Sequence, residues 1–108
     1  MGKVAENKYQ AQLIKKLEII FPDCCILKSD SSYKQGIPDL VILWRGYWAS
    51  LEVKSDAMAS SQPNQDYYIE RLNAMSFAAY IYPENEAEVL SALQQAFKPP
   101  RRTRISQS

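Results

Sequence analysis

Leu40-Val41-Ile42-Leu43-Trp44, closed by Arg45-Gly46 and followed by Tyr47 through Lys54, constrains this chain more than any other stretch. A continuous apolar run bounded by turn signals reads as a strand buried on both faces. Arg45-Gly46 offers a two-residue hairpin turn, because glycine carries no Cβ penalty where φ must be positive. Trp44 then faces Tyr47, and the numbers of opposed residues sum to 91. Asp39 and Glu52 meet that condition. They are expected directly opposite each other on one sheet face, with Cβ atoms about 5 Å apart. Lys54 shares the face, because strand side chains alternate with period 2.

Two carboxylates held that close repel unless positive charge lies between them. Hard oxygen ligands in such a pair suit Mg²⁺ or Mn²⁺, which bind through one or two carboxylates and keep water or phosphate oxygens elsewhere. The plainer alternative is a cross-strand salt-bridge cluster of Asp39, Glu52 and Lys54 on a solvated face. Pro38 weighs against it. Proline fixes φ and removes an N–H immediately before the first acid, so the backbone there is set.

The chain of 108 residues contains no histidine. That excludes Ser/His/Asp and Cys/His triads, histidine-metal nucleases and the usual zinc ligand sets. Hydrolytic chemistry would have to run on carboxylates, lysine, water and a hard metal. Hydrophobic content of 46% and charged content of 23% are those of a single soluble globular domain. No apolar run approaches a membrane span and the N-terminus lacks a signal-peptide pattern, so a cytoplasmic protein is expected. Cys24 and Cys25 are adjacent in a β-like stretch, poorly placed to bridge each other, and are expected to be buried free thiols.

Net charge is only +1, but the positive charge is unevenly placed. Lys3, Lys8, Lys15, Lys16, Lys28 and Lys34 load the N-terminal third, and Lys98, Arg101, Arg102 and Arg104 give residues 98–108 a basic, flexible character. Such patches contact phosphates without reading sequence, or simply solubilise a tail.

Apolar residues at helical spacing (Leu13, Leu17 and Ile20, with Ile14 and Phe21 beside them) predict a helix over 3–21, ended by Pro22. Glu6 lies seven residues before Leu13, at nearly the same angular position. It either complements the helix dipole or leans over the sheet beside Asp39 and Glu52. A short strand at Cys24–Lys28 leads into the polar loop Ser29–Ile37, whose Ser31, Ser32, Tyr33 and Lys34 are candidate substrate contacts. The two hairpin strands follow, at 39–45 and 47–54. After a second polar loop, a helix is expected over 64–75, with Tyr68, Ile69 and Leu72 on its apolar face. Gln65 falls on that face as a structural hydrogen-bonding amide or a site residue. A strand at 76–82 and a helix over 84–97, with Val89, Leu90, Leu93 and Phe97 as its core stripe, complete the order αβββαβα. The fold class is α/β, a mixed central sheet flanked by helices in one domain, 1–97.

Pro38-Asp39, Glu52-Val53-Lys54 and the helix acid Glu6 together resemble the PD-(D/E)XK nuclease superfamily, most closely its VRR-NUC branch. Gly36-Ile37-Pro38-Asp39 looks like the Gly-x-Pro-Asp approach to the second strand, and Pro63-Asn64-Gln65 is similar to the Pro-Glu-Gln helix of that family. The likeness spans roughly residues 5–82. Asn64 stands where the family often has an acid, and Gln62 is a second candidate for the functional amide. The C-terminal helix and basic tail have no clear family counterpart.

The resemblance implies a restriction-endonuclease-like fold and a metal-dependent DNA endonuclease. Stand-alone members of this size resemble phage or bacterial enzymes acting on branched DNA, notably Holliday junctions. It implies Mg²⁺ or Mn²⁺ held by Asp39, Glu52 and the carbonyl of Val53, with Glu6 reaching the metal through water. Lys54 would orient or deprotonate the attacking water, and Gln65 would hold water or a ligand in place. Lys3, Lys8, residues 31–34 and the tail arginines are the expected DNA contacts. A junction has two strands to cut, so a homodimer with two sites is expected, with Trp44, Tyr47, Trp48 and Tyr80 as interface or core. Neither a membrane nor a nucleotide cofactor is expected as a partner. The competing expectations are a nuclease of nicking, flap or restriction-like specificity, and a catalytically silent DNA-binding module with the same fold.

Overall fold

A computed structural model of the chain describes residues 2–29 and 35–98, with the side chains of the first helix described from residue 4. The elements are α1 (Gly2–Ile20), β1 (Cys25–Lys28), β2 (Leu40–Trp44), β3 (Tyr47–Val53), α2 (Pro63–Met75), β4 (Phe77–Ile81) and α3 (Glu86–Ala96). The order is αβββαβα around a mixed α/β sheet, as the sequence predicts. Strands lie side by side as β1-β2-β3-β4, antiparallel except for the parallel β3–β4 pair. A parallel pair needs a crossover, and α2 is that crossover.

The hairpin register is the one the turn dictates. Trp44 pairs with Tyr47 and Leu40 with Leu51. Arg45 at φ 52° and Gly46 at φ 86° carry the two positive φ angles of a type I′ turn, whose twist matches that of the strands it joins. Arg45 stacks its guanidinium 4.3 Å above the Trp44 ring.

One sheet face forms the core. Leu40 and Ile42 of β2, Ala49, Leu51 and Val53 of β3, and Ile81 of β4 pack with Leu13, Leu17 and Phe21 of α1 and with the four expected residues of the α3 stripe. Fully buried leucines such as Leu13, Leu17, Leu51 and Leu93 each contribute about 1.5–3 kcal/mol. At the hairpin-turn end an aromatic cluster closes this core. Phe21 lies 5.0 Å from Trp44 and 5.2 Å from Phe97, and Tyr47 stacks on Phe97 at 5.5 Å. Trp44 also donates its indole N–H to the Pro22 carbonyl at 2.9 Å. Trp44 and Tyr47 are half-buried and pack against the chain's own core.

On the opposite face α2 packs over β3 and β4. This corrects the expectation that β2 is buried on both faces. Leu43 is 39% exposed, and Leu27, which pairs with Val41 on the same face, is 52% exposed; among the described residues α2 packs on β3 and β4 rather than on β1 and β2. The cysteines are free, as expected, but not both buried: Cys25 points to this open face and is exposed, while Cys24 is half-buried. The last helix starts two residues later than periodicity indicates. Asn85 explains this, accepting the Tyr82 N–H at 2.9 Å and donating to the Tyr80 carbonyl at 3.1 Å, so its side chain ties the turn back to β4. Among the described residues no helix is long and apolar enough to cross a membrane.

Candidate functional site

Gly36, Ile37 and Pro38 deliver Asp39 to the start of β2. Gly36 has φ +93°, and a Cβ on it would lie 2.5 Å from the Asn64 Cβ, so its backbone packs directly against the first turn of α2. Pro38 is buried. The Asp39 carbonyl accepts the Ser29 N–H at 2.8 Å, turning the Asp39 backbone toward β1. Lys54, on β3's other side, donates its N–H to Ile81 at 2.9 Å.

Continued by one residue, the hairpin register sets Asp39 opposite Glu52, and the two acids clasp each other's strands. The Asp39 N–H donates to Glu52 Oε1 at 3.2 Å, and the Val53 N–H donates to Asp39 Oδ2 at 2.9 Å. In a strand the N–H and C=O of one residue leave on the same side. The Val53 carbonyl therefore lies on the Asp39 side of β3.

Glu52 is only 3% exposed. Its pKa is pushed up to about 7, first by burial and then by the charge of Asp39, with Glu6 adding to the rise and Lys54 and the Asp39 N–H opposing it. Glu6 is half-buried, and its charge adds to the rise in the Glu52 pKa. The helix begins at Gly2, which places Glu6 past the first turn, where a carboxylate gains little from the dipole.

Lys54 and Gln65 complete the wall. The Lys54 ammonium stands 3.7 Å from Glu52 Oε2 and donates to Gln65 Oε1 at 2.9 Å and to the Ser60 carbonyl at 3.1 Å. Gln65 Nε2 donates to Glu52 Oε2 at 2.7 Å, and Gln65 Oε1 also accepts the Gln62 N–H at 3.0 Å. Both ends of the Gln65 amide are thus oriented by the site and by the start of α2. Gln65, rather than Gln62, is the amide that touches the acid and the lysine. Gln62 lines a polar cleft with Gln35, Asn64 and Gln65 itself.

Lys8 is exposed. The side chain of Lys3, and Ser31, Ser32, Tyr33, Lys34, Arg101, Arg102 and Arg104, lie outside the described residues. Sequence reasoning missed a second layer: Asp66 accepts hydrogen bonds from the Tyr80 hydroxyl and, at 3.2 Å, from Ser61. Tyr80 pairs with Glu52 across the parallel strands and holds its ring centre 5.9 Å from the Lys54 ammonium. A parallel register depends on how the crossover helix docks, and no local signal carries it.

The donor set fits a small hard cation in one respect and limits it in another. One buried acid, one half-buried acid and a strand carbonyl on the same edge are hard ligands, and the charge of Asp39 adds to the rise that burial causes in the Glu52 pKa. Among the described residues, however, no three carboxylates, cysteines or histidines come together as one metal-holding group. Mg²⁺ tolerates so few protein ligands because it retains several waters. The chain matches no protein-family model, no curated relative and no solved structure.

Proposed function

We propose that this chain is a divalent-metal-dependent DNA endonuclease that hydrolyses phosphodiester bonds, with branched DNA such as a four-way junction as its substrate. The observation that carries the proposal is the reciprocal clasp of Asp39 and Glu52 with Lys54 and Gln65 closed around Glu52. A salt-bridge cluster on a solvated face would leave its acids in water. Here one acid is buried against another, at an electrostatic cost that a folded chain has little reason to retain unless a cation or substrate uses it.

Asp39, Glu52 and the Val53 carbonyl would hold Mg²⁺ or Mn²⁺, with Glu6 bearing on the ion through water. When bound, the ion supplies an acidified water and offsets charge gathering on the phosphate. Lys54 offers its ammonium protons to the attacking water and to a phosphate oxygen, exchanging the Ser60 carbonyl for them. Gln65 keeps Lys54 and Glu52 in register, accepting from one and donating to the other. Lys3, Lys8, the 31–34 segment and the basic tail would bind the DNA backbone. A homodimer would pair two such sites for the two strands of a junction, in the cytoplasm of a bacterial cell or phage-infected host.

The test is purified protein with Mg²⁺ against labelled four-way junction, flap, nicked and linear DNA, beside Asp39→Ala. Metal-dependent cleavage that Asp39→Ala abolishes supports the proposal. Binding without cleavage would make the chain a silent DNA-binding module, and cleavage that survives Asp39→Ala would place the chemistry elsewhere.

A further inference from the structure

A cleft of about 400 Å³ opens beside the acid pair, between β4, the start of α3 and the loop that follows Lys54. Lys54 is one of its lining residues and stands 3.7 Å from Glu52, so the cleft adjoins the place where a phosphate would sit. Its walls are small and apolar at Ala57, Ala59 and Ala79, and aromatic at Tyr80 and Tyr82. Past Lys54 the charge turns negative. Asp56 lines the cleft, and Glu84 holds its outer loop by accepting the Ala57 N–H at 3.2 Å. A phosphate is therefore attracted to the Lys54 side of the cleft and repelled from the Asp56 side. A neutral planar ring meets neither objection: it gains aromatic contact, and an amino group on it gains a carboxylate acceptor.

We propose that this cleft receives an unstacked nucleobase next to the bond to be cut. The inference rests on the nuclease reading and supplies its substrate preference. A strand whose phosphodiester lies at Asp39, Glu52 and Lys54 carries its adjoining base one sugar away, and the Tyr80 ring centre is 5.9 Å from the Lys54 ammonium. Stacking and pairing oppose removal of a base from intact duplex, and oppose it less where the base is already unpaired. A branch point supplies such bases.

The test places 2-aminopurine at each branch-proximal position of a four-way junction in turn. The full-length protein is added with Ca²⁺ to hold the DNA uncut, and cleavage is then measured with Mg²⁺. Fluorescence at one position is expected to rise severalfold with the native protein. Ala59→Trp, which fills the cleft from its loop, should remove that rise and slow cleavage at least tenfold while leaving Mg²⁺-dependent thermal stabilisation unchanged. Tyr82→Ala, which opens the cleft instead of filling it, should also diminish the rise, and covers the case in which the indole disturbs the loop. Cleavage by the native protein with no responding position overturns the pocket and leaves the nuclease reading standing. A rise that Ala59→Trp abolishes, on DNA that is never cut, keeps the pocket and overturns the nuclease. Equal fluorescence and equal cutting by both variants overturns the pocket.

Discussion

Glu52→Gln isolates the electrostatic strain of the acid pair. The carboxyl of Glu52 titrates at about 7 against an ordinary 4.5, chiefly because it is buried and then because Asp39 lies beside it. A carboxyl that holds its proton more tightly in the folded chain opposes folding as it ionises. Between pH 4.5 and about 7 the folded state binds more protons than the unfolded, so stability falls as pH rises through that window and the loss is complete above it. The shift corresponds to about 3 kcal/mol for the metal-free chain at pH 8. Glutamine keeps the shape and removes the charge. Its amide can satisfy only one of the two donors that face Glu52, the Asp39 N–H and Gln65 Nε2, and the lost bond costs about 1 kcal/mol. The variant should therefore be about 2 kcal/mol more stable than the native chain at pH 8 in chelator, a rise in Tm of roughly 10 °C, and no more stable at pH 5. Thermal melts followed by circular dichroism from pH 5 to 8 measure this. Mg²⁺ should reverse the ranking once it saturates the site, since a cation at a hundredfold its dissociation constant adds about 2.7 kcal/mol to the native chain and little to the variant. Native stability that stays level from pH 5 to 8, or a variant less stable than the native chain at pH 8 without metal, would refute the reasoning.

Gly36→Ala should cost about 1–3 kcal/mol in urea melts, because φ +93° disfavours any Cβ and the new one would press on Asn64. Gln65→Leu strips an acceptor from Lys54 and from the Gln62 N–H, and a donor from Glu52. It should destabilise by about 2 kcal/mol and, because a bond favouring ionised Glu52 is lost, shift the alkaline-going limb of any cleavage profile to higher pH. Ellman's reagent at pH 7.5 should find one fast thiol and one slow one per chain. Cys25 is exposed, while burial pushes the pKa of Cys24 up and its Sγ faces the Leu17 carbonyl at 4.0 Å.

The hairpin and its consequences were legible from residue identity. An apolar run, Arg45-Gly46 and period-2 alternation suffice to oppose Asp39 and Glu52, because a two-residue turn leaves no freedom in register. Helical spacing likewise identified Leu13, Leu17, Val89, Leu90, Leu93 and Phe97 as core. The same spacing over-read β2, since apolar identity does not say whether a helix is present to cover a face.

Sequence alone determined the elements, their order, the register of the β2–β3 hairpin and the two acids with their lysine. Tertiary structure decided which amide joins them, how deeply Glu52 is buried, and that Tyr80 and Asp66 stand behind Lys54. Those outcomes depend on where the crossover helix α2 settles on the sheet. That docking is fixed by long-range packing, through the close approach of Gly36 to Asn64 and the half-buried face of α2, and not by any local pattern of residues.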